Sequence, residues 1–219
     1  MFSSTRLSEI TTVQQLHIVL RSEGCSGCEL GTQQGLKGPV VYRGNPYSRR
    51  MIIGEAPGAN EDITGNPFTG PAGKEMDARF AAVGLDTNND FYIGNCTKCR
   101  PLAPEGSGRQ NLTPTVSQKE ACLPYLQWEI KLIQPKIVVI TGATAAQSIL
   151  GWTKSDRITE KAGQVYFNAN YPNIVFYVIY HPAFLLHSKG RVEQYNKYSR
   201  EFDEHLVILK GIVDELDKI

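Results

Sequence analysis

Residues 49–58 read RRMIIGEAPG. Two arginines, three consecutive large apolar side chains and then Gly54-Glu-Ala-Pro-Gly58 describe a strand buried on both faces that empties into a glycine- and proline-rich turn. Three further runs, 91–95 (FYIGN), 136–141 (KIVVIT) and 174–180 (IVFYVIY), are short, apolar and rich in β-branched or aromatic residues, as strands require. Helical patterns alternate with them: 74–83 with Gly84 as its stop, 116–133, a small-residue stretch after Gly142, and everything from Val192 onward. Alternating strands and helices predict a three-layer α/β/α fold with a central four-stranded parallel sheet. Neither a repeat nor a linker interrupts the pattern, so residues 1–219 read as one domain with helical additions at both ends. At the N-terminal end Leu7, Ile10, Val13, Leu16 and Leu20 recur at helical spacing up to Gly24.

Composition bounds the function without deciding it. The 219 residues are 41% hydrophobic and 21% charged with a formal net charge of +1, ordinary values for a globular protein. Near-neutrality leaves nucleic-acid binding to a local patch. No apolar run approaches the ~20 residues of a membrane span. Residues 1–22 lack the basic start and apolar stretch of a signal peptide. A cytoplasmic, monomeric protein is the expectation, and its five cysteines are then unlike a disulfide framework.

The cysteines suggest a metal centre instead. Cys25-Ser-Gly-Cys28 follows the first helix, and Cys99 and Cys122 lie far downstream. Four thiolates so arranged suit zinc or an iron–sulfur cluster, and spacing does not choose between them. Cys96 makes a second CxxC with Cys99 on paper. It sits at a strand end, where side chains alternate, so Cys99 is read as the ligand and Cys96 as a buried thiol.

The densest signal begins at the turn after the first strand. Gly54-Glu55-Ala56-Pro-Gly58 presents free backbone N–H groups of the kind that bind anions or carbonyl oxygens. Glu61 and Asp62 follow, and then GNPFTGPAG at 65–73 carries Phe68 between two glycine clusters. Asn95 and His181 each end a predicted strand. In open α/β sheets ligands bind outside the carboxyl ends of the strands, so the 54–58 turn, Asn95 and His181 should share one pocket.

Taken together these residues resemble the family-4, iron–sulfur uracil-DNA glycosylases. The pattern GEAPGxxED…GxPFxGxAG stands at 54–73, and the family's TNxxKCRP box stands at 94–101. A TP dipeptide followed by a cysteine is found at 113–122 (TPTVSQKEAC), PKxxVxxGxxA at 135–145 and HP(S/A)xLL at 181–186. The resemblance covers residues 25–190. It implies a [4Fe-4S] cluster on Cys25, Cys28, Cys99 and Cys122. It implies a monofunctional DNA glycosylase that hydrolyses the N-glycosidic bond of a uracil flipped out of a duplex or presented in single-stranded DNA. Phe68 would stack on the base and Asn95 would read its edge. Glu55 and Glu61 would line the reaction side, His181 would face the base oxygen, and backbone groups of Gly54, Ala56 and Gly58 would complete the pocket. Lys98 is read as a phosphate contact.

Three departures accompany the likeness. Gly94 replaces the usual Thr, residues 103–111 (APEGSGRQN) lengthen the loop after Cys99, and His187 stands where the family often has an Arg. Relatives that trap uracil covalently carry GEQPG and a loop histidine; here the turn is GEAPG and Asn111 lies near that position, so no covalent trap is expected. A wider pocket at Gly94 and the longer loop would suit a modified base, such as a modified cytosine of phage DNA removed in anti-phage defence. From a different class, the chain could be an inactive iron–sulfur DNA-binding or redox-sensing protein. The joint presence of Glu55, Phe68, Asn95 and His181 speaks against that.

Overall fold

The computed structural model describes residues 9–108 and 110–218; Leu7 of the N-terminal apolar stripe lies outside the described residues. Helix α1 (Val13–Glu23) opens on a capping box between Thr12 and Gln15, which satisfies two N-terminal amides at once. Its Leu16 and Leu20 pack with Val41 and Tyr125. After the CxxC and a 3₁₀ turn at Glu29–Gly31, the chain enters the sheet through β1 (Tyr42–Gly44) and β2 (Arg50–Gly54). Helices α2 (Ala59–Thr64) and α3 (Pro71–Ala82) lead to β3 (Tyr92–Asn95). Helix α4 (Val116–Ile133), with its own Thr115–Gln118 capping box, leads to β4 (Ile137–Thr141). The remainder comprises α5 (Ala143–Leu150), α6 (Ile158–Lys161), β5 (Gln164–Tyr166), β6 (Val175–Ile179), α7 (Pro182–Ser188) and α8 (Val192–Leu216).

The sheet has six strands in the order β1-β3-β2-β4-β6-β5. Its four central strands are mutually parallel, as expected. The expected four-stranded sheet is nevertheless incomplete, because β1 and β5 add antiparallel edges. Each has three residues, and none of them is fully buried, so neither carries a period that sequence can reveal.

Side chains of the central strands alternate between two apolar layers. Met51, Ile53, Val138, Ile140, Phe176 and Val178 lie under α4 and α5. Ile52, Ile93, Val139, Tyr177 and Ile179 lie under α3 and α8. From β2 the chain moves to β3 on one side and then to β4 on the other. That reversal opens a crevice at the carboxyl ends of the strands.

Two of the departures acquire a structural meaning. A Cβ on Gly94 would meet the Val41 carbonyl oxygen at 3.2 Å and the Tyr92 ring at 3.4 Å. Gly94 therefore faces the approach of the chain beside β1 and does not widen the pocket. The long segment after Cys99 is a hairpin. Leu102 and Asn111 bridge antiparallel, and the Leu112 amide donates to the Pro101 carbonyl at 2.7 Å. Arg100 pins its far arm, donating to Asn111 Oδ1 at 2.6 Å and to the Gln110 carbonyl at 2.9 Å.

Candidate active site

At the carboxyl ends of the central strands lies a cleft of about 950 Å³. Glu55, Ala56, Gly58, Glu61, Phe68, Asn95 and His181 all line it. Gly54 is its floor. A Cβ there would come within 2.5 Å of both the Phe68 ring and Asn95 Oδ1, so the absence of a side chain at 54 lets the aromatic ring and the carboxamide lie side by side.

Phe68 is held in an unusual way. Its φ of 56° is left-handed, a region that costs a bulky residue roughly 1–3 kcal/mol. A Cβ at Gly73 would stand 1.8 Å from the Phe68 carbonyl oxygen, so α3 can begin where it does only because Gly73 is bare. The ring lies 5.6 Å from the His181 imidazole, with the planes 28° apart.

His181 caps α7. Its Nδ1 accepts from the Ala183 amide at 3.1 Å. An amide nitrogen can only donate, so Nδ1 carries no proton and Nε2 is the N–H of the neutral ring. Burial, aided by the charge of His187, lowers the imidazole pKa to about 4. At neutral pH the side chain is thus an uncharged donor fixed in one tautomer.

The two carboxylates differ. Burial raises the Glu55 pKa, and hydrogen bonds from Thr144 and Thr113 and the Lys119 charge oppose that rise. Glu61, expected on the reaction side, reaches the cleft, but its oxygens already accept from backbone: Oε2 from the Gly58 amide at 3.1 Å and Oε1 from the Gly70 amide at 2.7 Å. It ties the two glycine loops together.

Lys98 contradicts its sequence reading. Its side chain is 2% exposed and Glu129 is 0% exposed; Nζ lies 2.6 Å from Glu129 Oε2 and donates to the Asn95 carbonyl at 2.7 Å. An ammonium sealed inside and paired there cannot touch a DNA phosphate. It anchors the backbone of Asn95 instead.

The five cysteines differ in their surroundings. Cys99 and Cys122 are buried, and Cys25 and Cys28 are partly exposed. Burial raises the Cys99 thiol pKa, and the charges of Cys122, Cys25 and Cys28 raise it further. Burial likewise lifts Cys122 to about 11, with Cys28 and Cys25 contributing. Cys96 is buried with its Sγ 3.9 Å from the Ala145 carbonyl, within the apolar layer beneath α5. Among the described residues no three His, Cys, Asp or Glu side chains close around a single metal ion.

Sequence reading did not assign Thr144, Gln110 or Leu112 to the site. Thr144 follows a strand end, which was the available signal; the other two reach the cleft only because the hairpin folds over it. His187 also lines the rim.

A family model described as the uracil DNA glycosylase superfamily matches residues 41–207. The α/β sheet, the strand-end cleft and this match agree, and the chain belongs to that superfamily. Within it, the similarity is to enzymes of type 4. The chain is 33% identical over 192 residues to the type-4 uracil-DNA glycosylase of Archaeoglobus fulgidus, covering 85% of this chain and 90% of that one. The corresponding protein of Pyrobaculum aerophilum is 31% identical over 190 residues, 84% and 90% of the two chains. That of Thermotoga maritima is 32% identical over 170 residues, 78% and 82%.

Two outcomes follow from these contacts. An NMR titration of ¹⁵N-labelled imidazoles should place the His181 midpoint near 4, with Nδ1 unprotonated above it. The folded value lies below the ordinary 6.5, so the unfolded chain binds the proton more readily. Stability from this group is complete above about 6.5 and is lost as pH falls toward 4; a midpoint near 6.5 would refute the capped, buried ring. Lys98→Met should destabilise the fold by ~3–5 kcal/mol by stranding the Glu129 carboxylate, as measured by denaturant unfolding. A change below ~1 kcal/mol would mean the lysine is not sealed inside.

Proposed function

We propose that this chain is a monofunctional DNA glycosylase that releases uracil from DNA and carries an iron–sulfur cluster. The observation that carries the reading is the convergence of Glu55, Phe68, Asn95 and His181, delivered by separate segments, on one cleft in a member of this superfamily. The names of the type-4 relatives supply the substrate.

Hydrolysis adds water to the sugar C1′, breaks the N-glycosidic bond and releases the base, leaving an abasic site. Positive charge develops on the sugar and negative charge on the departing base. Catalysis requires groups that meet both charges where they form. The neutral His181 donates from Nε2 to the base oxygen, and the backbone N–H groups of the 54–58 turn assist. Glu55 faces the cationic sugar and orients the water. Phe68 stacks on the base. The Asn95 carboxamide accepts from uracil N3–H and donates to O4. The target base has to leave the stack to reach these groups, so the DNA enters single-stranded or with the base flipped out. Glu61 and Lys98 act by holding the loop and strand that present them. Lys98, committed to Glu129, offers no amine nucleophile for strand cleavage.

Cys25, Cys28, Cys99 and Cys122 are the residues that would hold a [4Fe-4S] cluster. One observation supports the fit: thiols that raise one another's pKa are tolerated together when cationic iron lies among them. A cluster held there would link the N-terminal CxxC, the segment after β3 and α4. No part of the base chemistry is assigned to it.

Two measurements test the reading. An oligonucleotide carrying one uracil should lose the base in a single-turnover assay, and His181→Ala should slow release by ~100-fold or more while DNA binding is retained. Intact uracil DNA alongside release of another base from a modified panel would overturn the substrate assignment. The protein should absorb broadly near ~400 nm, as thiolate-bound iron does. Replacing Cys25, Cys28, Cys99 or Cys122 with Ala should abolish that band, and Cys96→Ala should keep it; bleaching by Cys96→Ala would displace the ligand assignment.

A further inference from the structure

We infer that Arg43 is a positioning residue for base capture, acting through the strained backbone of Phe68. The inference rests on the reading of Phe68 as the residue that stacks on the base. Arg43 is not among the residues lining the cleft, and it stands on the edge strand β1, opposite Ile93 of β3. From there its guanidinium reaches under the Phe68 loop. Nε donates to the Pro67 carbonyl at 2.8 Å, fixing the peptide immediately before the left-handed residue.

The guanidinium is itself immobilised. One terminal nitrogen pairs with Asp77 Oδ1 of α3 at 2.6 Å, with the Arg43 side chain only 10% exposed. The other donates to Asn88 Oδ1. Asp77 Oδ1 also accepts from Thr87 Oγ1 at 2.7 Å. Three elements thus fix a planar fork, and the fork fixes a carbonyl. A lysine carries its three N–H donors on one nitrogen and lacks the spread of Nε and the two terminal nitrogens that meets Pro67, Asp77 and Asn88.

This anchoring is needed because left-handed φ at a bulky residue persists only where surrounding contacts over-determine it. On the far side of Phe68, Glu61 holds the Gly70 amide and bare Gly73 admits the Phe68 carbonyl. On the near side the contact is Arg43. Release of the Pro67 peptide would let φ relax to a negative value and swing the ring off Gly54. The ring would then have to be reordered each time a base is captured. The consequence falls on binding. His181 and Glu55 are carried by other elements and would remain in place for any base that does bind.

A double-mutant cycle tests this. The full-length, cluster-loaded protein and its Arg43→Met, Phe68→Ala and doubly substituted variants are titrated with an oligonucleotide carrying a non-hydrolysable 2′-fluoro analogue of deoxyuridine. Single-turnover release is measured at saturating uracil DNA. Arg43→Met should weaken analogue binding by about 10-fold, within the range of a base–aromatic stack, and change the saturating rate by less than about 2-fold. In the Phe68→Ala background Arg43→Met should weaken binding by less than about 2-fold, because a residue acting only through Phe68 has nothing left to act on. Independent losses that multiply would overturn the inference, as would unchanged binding in Arg43→Met. Arg43→Lys keeps the charge near Asp77 and should fold even where Arg43→Met does not; it should show the same binding defect, and wild-type binding by Arg43→Lys would also overturn the inference. A ¹⁹F label on the ring at position 68 gives a readout that needs no DNA: one sharp resonance in the parent, shifted or broadened in both Arg43 variants. If the parent fails to bind the uracil analogue, the proposed substrate falls, while the ¹⁹F resonance still decides the role of Arg43.

Discussion

The cleft is built over a missing side chain. At Gly54, where β2 ends, the Phe68 ring and the Asn95 carboxamide both approach to within 2.5 Å of the place a Cβ would occupy. Any larger residue would part the aromatic ring from the carboxamide. Because β2 is central and pairs with both β3 and β4, its end cannot move to make room. The neighbouring glycines serve the same approach at one remove: Gly73 admits the Phe68 carbonyl, and Gly58 and Gly70 offer their amides to Glu61. Packing so close stores strain in Phe68, and that strain is offset by contacts from Arg43 on one side and Glu61 on the other.

On the function proposed above, the cleft sets unlike groups against the two charges that glycosidic cleavage creates. An imidazole with its Nδ1 committed to an amide is neutral and points a donor outward. Nearby, a carboxylate is partly desolvated and flanked by threonine hydroxyls. Neither arrangement has to reorganise as charge develops, which is the condition under which fixed dipoles lower a barrier.

Beneath the site, α4 carries a polar stripe into the interior. Gln118, Cys122, Tyr125 and Glu129 are all buried and, at spacings of four, three and four, share one face of the helix. Gln118 donates to Glu29, the Tyr125 hydroxyl lies 3.6 Å from Cys25 Sγ, and Glu129 pairs with Lys98. The Lys98 amide in turn meets Cys122 Sγ at 3.5 Å. One helix face therefore joins the cysteine region to the backbone of Asn95. This explains why a lysine beside a cysteine in the motif is turned inward: its partner is the buried Glu129 on α4.

Local order was legible in the sequence. The four central strands, the helices between them and the strand-end positions of Asn95 and His181 all follow from hydrophobic period and from turn residues next to strands, which are encoded within a few residues of chain. Tertiary structure decided what depends on partners far away in sequence. It determined that Lys98 faces Glu129, that Gly94 points away from the cleft, that Leu102 pairs with Asn111, that β1 and β5 form the edges of the sheet, and that Arg43 grips Pro67. Charged side chains such as Lys98 and Arg43 look the same in sequence whether they meet solvent, phosphate or a buried carboxylate. Only the fold specifies which of these lies within hydrogen-bonding distance.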